Sequence, residues 1–375
     1  MATTQPSRAG SRGTPPSPRD AGGVPAAEVP PSLSAVAPAV EARIATLLEI
    51  EAARWGLVDP ELLPPLEALR RFVLDGGKRL RPAFCHWAFV GAGGDPADPA
   101  VIDAGAALEL LHAFALLHDD VMDGSHLRRG HACVHVDFAS RHRQAGWRGE
   151  ARRFGEGVAI LVGDLAFVYA DLLMVGVPLA ANEIFNELRV ELNIGQYLDL
   201  VGTAEARRDR PMARRIACYK SGKYTVERPL HLGAALIGRL GDLAEPLSAY
   251  GLPLGEAFQM RDDILGTFGD PAVIGKPVGE DLREGKPTPL LAIANARAGA
   301  GGLALLDRVG AADLGDDEVA AIQALLIETG AREETERLVD QLAAEAVVAL
   351  GRAALTAEAR AALSELAAFV ARRDR

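Results

Sequence analysis

Residues 116–130, Leu-Leu-His-Asp-Asp-Val-Met-Asp-Gly-Ser-His-Leu-Arg-Arg-Gly, hold the densest chemistry in the chain. Three carboxylates arrive together at Asp119, Asp120 and Asp123. On a helix, Asp119 and Asp123 are four residues apart and lie one above the other on a single face. Like charges so placed repel each other. A hard divalent cation reverses the sign, because Mg²⁺ takes carboxylate oxygens and keeps waters or substrate phosphates as its remaining ligands. Arg128 and Arg129 follow closely, and their planar forks match phosphate oxygens. Taken alone, Asp-Asp-x-x-Asp is short enough to be a solvated acidic helix end. With the arginines it describes a site for a metal-bridged polyphosphate.

Other stretches carry compatible chemistry. Asp75-Gly76-Gly77-Lys78-Arg79-Leu80-Arg81-Pro82 joins two turn-permitting glycines to three cations within four positions. It reads either as a helix end with solvated basic residues or as a diphosphate cradle. Gln196 and Asp199 stand three apart on a further helix. Tyr219–Thr225 brings Lys220, Ser221 and Lys223. A second acidic pair, Asp262 and Asp263, follows Phe258-Gln259-Met260-Arg261. Gly275-Lys276 and Gly279-Glu280-Asp281-Leu282-Arg283-Glu284-Gly285-Lys286 come next. His112, seven residues before Asp119 on an apolar helix, is open to two readings, a core histidine or a substrate contact.

The elements that must position these groups are helical. The chain has 375 residues and 49% hydrophobic content, enough for a large core, and its apolar residues recur with helical rather than alternating period. The class expected is all-α. Leu108, Leu110, Leu111, Phe114, Leu116 and Leu117 mark a buried helix running into the first acidic group. Other helices are expected over about Val40–Trp55, Pro64–Leu74, Val158–Leu173 and Asn182–Leu200, with an Arg-rich loop over residues 139–156 around Trp147. Residues 1–36 are rich in Pro, Ser, Gly and Ala and are expected to be a disordered tail, leaving 37–375 as one helical domain. The tail lacks the apolar core of a signal peptide. No apolar run is expected to reach the length needed to span a bilayer. A formal charge of −11 argues against nucleic-acid binding. Cys85, Cys133 and Cys218 are scattered and odd in number, which suits packing roles in a reducing cytoplasm.

Taken together, Gly-Gly-Lys-Arg-Leu-Arg-Pro, Asp-Asp-x-x-Asp with Arg-Arg-Gly, Gly163-Asp164, Gln-x-x-Asp, Phe-Gln-x-x-Asp-Asp, and Gly-Lys followed by Asp-Leu-Arg-Glu-Gly-Lys resemble, in order and spacing, the trans-isoprenyl diphosphate synthases, the head-to-tail prenyltransferases of short-chain type. The resemblance runs from about Gly76 to Lys286. It implies an α-helical bundle around a deep central cavity, usually a homodimer. It implies an allylic diphosphate ionised by Mg²⁺, three ions per site, held by Asp119, Asp120 and Asp123 on one wall and by Asp262 and Asp263 on the other. Arg128, Lys220 (with Ser221), Lys276, Lys286 and Gln259 would surround the same leaving group. Isopentenyl diphosphate would rest on Lys78, Arg81, His112 and Arg129, helped by the C-terminal arginines. Its double bond attacks the allylic cation, so no protein nucleophile is needed.

Two positions depart from the family pattern. Gly266 stands where many members carry a third aspartate, and Lys223 competes with Lys220 for the diphosphate lysine. Product length is expected to depend on Phe114 and Ala115, about one helical turn below Asp119, with geranylgeranyl the leading product and farnesyl next. Two rival readings share parts of this pattern. A class I terpene cyclase leaves Gly76–Pro82 unexplained. An inactive regulatory subunit would tend to lose its acidic motifs, and both survive here.

Overall fold

Helix ends show why the chain folds as it does. The computed structural model describes residues 29–271 and 279–373. Helices α1 (Pro31–Ser34), α2 (Ala37–Gly56), α3 (Leu63–Leu74) and α4 (Leu80–Gly91) lead to α5 (Pro99–Asp123). α5 starts where Asp98 accepts the Ala100 N–H at 2.9 Å, with Pro99 in the first turn, and stops at Gly124 in the left-handed region. α6 (Val134–Gln144), α7 (Ala151–Leu173), α8 (Leu179–Ala204) and α9 (Arg210–Ile216) follow. A π-helical stretch, Ala217–Glu227, then joins α9 to α10 (Arg228–Leu236) and α11 (Leu240–Phe268). Further helices span Glu280–Glu284, Pro289–Arg297, Ala300–Leu306, Asp316–Glu328, Ala331–Ala349 and Ala357–Arg372. This all-α architecture matches the expected class.

α5 is the central post. It packs against α7, α4, α2, α3 and α10, and Leu108, Leu110, Leu111 and Leu117 are buried in the main core. A smaller core built on Leu282, Leu290, Leu306, Ile322 and Leu326 supports the helices beyond residue 279. α5 is also long and apolar enough to cross a membrane by length and composition, with a mean hydropathy of 1.7. This corrects the expectation that no segment qualifies. Occasional polar residues interrupt the run without lowering its average, and 61% of that window is buried inside the fold.

Two further expectations change. The disordered tail was placed too far into the chain, because Pro31–Ser34 is helical and Leu33 and Val36 are buried in the main core. Residues 1–28 lie outside the described residues. The segment 139–156 is not one loop: α6 runs to Gln144 and α7 begins at Ala151. Trp147 turns back onto Phe154 at 5.3 Å and His142 at 5.9 Å between ring centres, so a short apolar staple closes the connection. Finally, the one strand pair among the described residues is a hairpin, Leu127–Arg128 with His131–Ala132. Arg129 and Gly130 between them both have positive φ, 52° and 78°, which a two-residue turn of this hand requires.

Candidate active site

One cavity of about 450 Å³ opens between α5, α8, the π-helical stretch and α11. Lys78, Arg81, His112, Ala115, Asp119, Arg128, Arg129, Lys220, Ser221, Gln259, Asp262, Asp263 and Lys286 all line it. Asp119 comes from the end of α5, and Asp262 and Asp263 come from α11, more than a hundred residues later. The two acidic groups therefore face the same space. Lys276 lies outside the described residues.

Half-buried lysines stand among the carboxylates. Lys220 Nζ lies 3.0 Å from Asp119 and 2.5 Å from Asp199. Lys286 Nζ lies 3.1 Å from Asp123, 2.5 Å from Glu284 and 4.0 Å from Asp281. Gln196 adds an N–H to Asp119 at 3.0 Å. The two α5 carboxyls respond unequally. Burial works to raise Asp119, but Lys220, Lys286 and Arg128 hold it below the usual carboxylate range. Asp123 is pushed up to about 6, by burial first, against Lys286 and with the charges of Asp119 and Glu284 adding to the rise. On the other wall Asp263 is pushed well up by burial, and Asp281 and Asp262 add to it, while the hydrogen bond from Gln259 at 2.7 Å opposes the rise.

Asp120 departs from the expected ligand set. Its side chain is buried and both oxygens accept from Arg128 Nε, at 2.8 and 3.0 Å, with Nη2 at 2.6 Å. On a helix its neighbour Asp119 points about 100° away, and the Asp120 oxygens are turned to the arginine. The hairpin folds Arg128 back onto Asp120, where it also comes within 3.8 Å of Asp119.

A basic pocket occupies the other part of the cavity. Gly76 and Gly77 have φ of 88° and 106°, and a Cβ at Gly77 would lie 2.8 Å from the Arg79 guanidinium. Arg79 itself is buried at the cavity wall, bound to Glu109 at 2.8 Å, to Glu41 at 3.0 Å and to the Val73 carbonyl at 2.8 Å. It holds the turn that presents Lys78 and Arg81. Arg81 donates to Thr225 at 2.9 Å and lies 4.2 Å over the Tyr224 ring. Arg129 donates to the Asp75 carbonyl at 2.9 Å. His112 is held neutral, its pKa lowered far by burial and then by Arg81, Arg129 and Arg128. Its Nδ1, the Arg81 Nε and the Tyr224 hydroxyl are buried without partners, which suits a pocket shaped for a polar ligand.

The competition between Lys220 and Lys223 has a geometric answer. Lys220 reaches the cavity, whereas Lys223 turns to the flank of α8 and pairs with Glu191, which also takes a two-pronged bond from Arg228 at 2.6 and 2.7 Å. Lys223 is thereby corrected from substrate contact to a member of a structural ion cluster. Close backbone approaches set this geometry. A Cβ at Gly195 would fall 2.3 Å from the Lys220 nitrogen, and one at Gly255 would fall 2.5 Å from Gly222 Cα. Phe114 does not line the cavity. It is half-buried, its ring 4.9 Å from Phe167 and 4.6 Å from His118, while Ala115 does line it.

Sequence reading left Asp199, Asp281 and Tyr224 out of the site and counted Arg373 only among the C-terminal arginines beside isopentenyl diphosphate. Arg373, whose side chain is 5% exposed, binds Asp262 at 2.6 Å and lies 4.0 Å over the Phe258 ring. Asp199 had a signal in its three-residue spacing from Gln196. Among the described residues no cluster of three or more His, Cys, Asp or Glu side chains closes around a metal-sized gap. The donors present are carboxylate oxygens, and Asp263 Oδ2 is buried without a partner. Such a set fits Mg²⁺, which completes its shell with water and substrate phosphate rather than with a protein cage.

The polyprenyl synthetase family profile matches residues 65–326. The geranylfarnesyl diphosphate synthase of Aeropyrum pernix is 31% identical over 270 residues, covering 70% of this chain and 79% of that protein. The geranylgeranyl diphosphate synthase of Mycobacterium tuberculosis is 35% identical over 283 residues, 73% of this chain and 75% of that protein. The crystal structure of geranylgeranyl pyrophosphate synthase from Corynebacterium glutamicum, complexed with isoprenyl diphosphate and magnesium, superposes with a TM-score of 0.85 at 36% identity, covering 89% of this chain and 97% of that one.

The Glu191 cluster makes a pH-dependent contribution to stability. Burial works to raise the Glu191 pKa, but the bonds from Arg228 and Lys223 hold it below its ordinary 4.5. The contribution is therefore full above pH 4.5 and fades as pH falls through the lower folded-state value. Glu191→Gln removes the carboxylate that Lys223 and Arg228 share and is expected to cost about 3 kcal/mol at pH 7. Denaturant titrations from pH 3 to 8 should show that deficit shrinking toward acid.

Proposed function

The chain belongs to the polyprenyl synthetase family and is a prenyltransferase, and on that premise we propose that it condenses isopentenyl diphosphate head to tail with an allylic diphosphate. The product proposed is geranylgeranyl diphosphate, with farnesyl diphosphate next. The observation that carries the reading is that opposed acidic groups and a separate basic pocket line a single cavity.

Each part of the cavity has a task in this reaction. Asp119 and Asp123 on α5, and Asp262 and Asp263 on α11, would hold Mg²⁺, three ions by family resemblance. Bound there, Mg²⁺ would act as a Lewis acid on the diphosphate whose charge grows as it leaves. Lys220, Arg128 and Lys286 place fixed positive charge around the same leaving group, with the Gln259 amide beside them. Lys276 joins them by resemblance. Ser221, next to Lys220, offers a hydroxyl at the cavity wall. Asp120 enters through Arg128, whose fork it orients. The isopentenyl diphosphate group would rest on Lys78, Arg81 and Arg129, with neutral His112 completing the pocket. Leu116, Leu192, Ile216 and Phe258 give the cavity apolar walls that keep water from the allylic cation.

Two wider features belong to the same reading. Large apolar side chains are exposed along α7 and α8, among them Leu161, Val168, Leu172, Leu179, Val190 and Tyr197. A patch of that extent suits a second copy of the chain, and light scattering should give twice 39.5 kDa. Cys85, Cys133 and Cys218, thiols outside any disulfide among the described residues, accord with a reducing cytoplasm.

Purified protein given isopentenyl diphosphate, Mg²⁺ and dimethylallyl, geranyl or farnesyl diphosphate should release pyrophosphate and a longer prenyl diphosphate. EDTA should abolish turnover. Elongation that survives chelation, or hydrocarbon formed without isopentenyl diphosphate, would overturn the reading. Phe114→Ala removes the ring braced on Phe167 and should shift the product distribution to longer chains on reversed-phase chromatography. An unchanged distribution would remove Phe114 from the chain-length role.

A further inference from the structure

Arg189 carries a charge that the proposed chemistry does not use. It stands on α8 facing α7, with its side chain 16% exposed. The guanidinium carbon lies 4.9 Å from the centre of the Phe167 ring and 5.0 Å from that of Phe185. Nη1 donates to Asp171 Oδ1 at 2.6 Å, and Nη2 donates to the Asn186 side-chain oxygen. A planar cation fixed by two acceptors and laid near two ring faces is attracted to both rings, the more so where water is excluded.

Phe167 passes this support on. Its ring centre lies 4.9 Å from that of Phe114 on α5, with the planes tilted by 57°. Phe114 in turn lies 4.6 Å from the His118 ring, and His118 Nε2 is 3.1 Å from the Ile160 carbonyl. Gly163 leaves room for that imidazole, since a Cβ there would fall 2.4 Å from it. His118, Phe114, Phe167 and Arg189 therefore form one row across α5, α7 and α8. The row has a space on either side. Ala115 and Leu192 line the active-site cavity, whereas Phe167, Arg189 and Asn193 line a second, more open hollow of about 690 Å³.

We propose that Arg189 is a specificity-determining positioning residue: braced on Asp171, it holds the Phe167 ring against Phe114 and keeps the row closed between the active-site cavity and the hollow behind it. Product length then depends on a charged pair between α8 and α7 as well as on the bulk of Phe114. When the brace is removed the rings can part, and a growing prenyl chain gains the hollow as further room. This inference rests on the prenyl-elongation reading above.

Reversed-phase chromatography of the products made from isopentenyl and dimethylallyl diphosphates with Mg²⁺ tests it. Arg189→Ala should raise the proportion of products at least one isoprene unit longer than the wild-type product about threefold or more. Asp171→Asn, which frees Arg189 without emptying any space, should shift the distribution the same way by less, and keeps the test decisive if Arg189→Ala fails to fold. Phe167→Ala should give the largest shift. Pyrophosphate release in the first addition should stay within about twofold of wild type in Arg189→Ala and Asp171→Asn, a separation of length from rate that a loss of fold would not produce. Wild-type distributions in Arg189→Ala and Asp171→Asn, beside longer products from Phe114→Ala, would overturn this proposal alone. Longer products that appear only with a changed mass in light scattering would also overturn it, by placing the effect at the contact between subunits. Unchanged distributions in every variant, Phe114→Ala included, would overturn the chain-length role of Phe114 together with this proposal. Wild-type protein that elongates nothing would overturn the functional reading itself.

Discussion

Carboxylates can be crowded into one buried cavity only if positive charge stands between them, and this constraint governs the rest of the structure. Lys220 separates Asp119 from Asp199, Lys286 sits among Asp123, Glu284 and Asp281, Arg128 holds Asp120, and Arg373 holds Asp262. A buried ion left alone costs several kcal/mol, so each cation offsets a penalty that would otherwise protonate its neighbour. The cavity is thus close to charge balance before any ligand enters. A divalent ion or a diphosphate arriving alone disturbs that balance, whereas together each offsets part of the charge of the other. Coupled binding of metal and diphosphate follows from this arithmetic of charge.

The helices supply what such an arrangement needs, which is groups fixed before the ligand arrives. α5 brings its acids to the cavity from the centre of the core. The π-helical stretch, wedged between α8 and α11 through Gly195, Gly222 and Gly255, brings Lys220 inward and leaves Lys223 to the Glu191 cluster. Arg79 is spent on Glu41, Glu109 and the Val73 carbonyl so that its neighbours Lys78 and Arg81 can face the ligand.

Much of this was legible in the residues, and the parts that were not share a cause. The helical class, the four-residue spacing of Asp119 and Asp123 and the order of the motifs depend on local periodicity, which a sequence displays directly. The choice between Lys220 and Lys223 depends on winding. A π-helical segment shifts the angular phase of every residue in it, and no residue type announces that change. The pairing of Asp120 with Arg128 was not legible, because it depends on a hairpin that folds the arginine back onto the end of α5. Asp281 and Arg373 reach the cavity through tertiary contacts from distant helices. Trp147 and its neighbours look like a polar loop because the apolar groups that staple it are few.

One consequence follows from α5 being unbroken. Phe114 and Asp119 ride on the same rigid rod, five positions apart, which is about 7.5 Å of axial rise. In the proposed reading a single helix would carry both the anchor of a growing chain and the bulk that stops it, and length would be measured as on a ruler, in graduations of the backbone repeat. Evolution can then reset the length by moving bulk along one helix face, without touching the groups that do the chemistry.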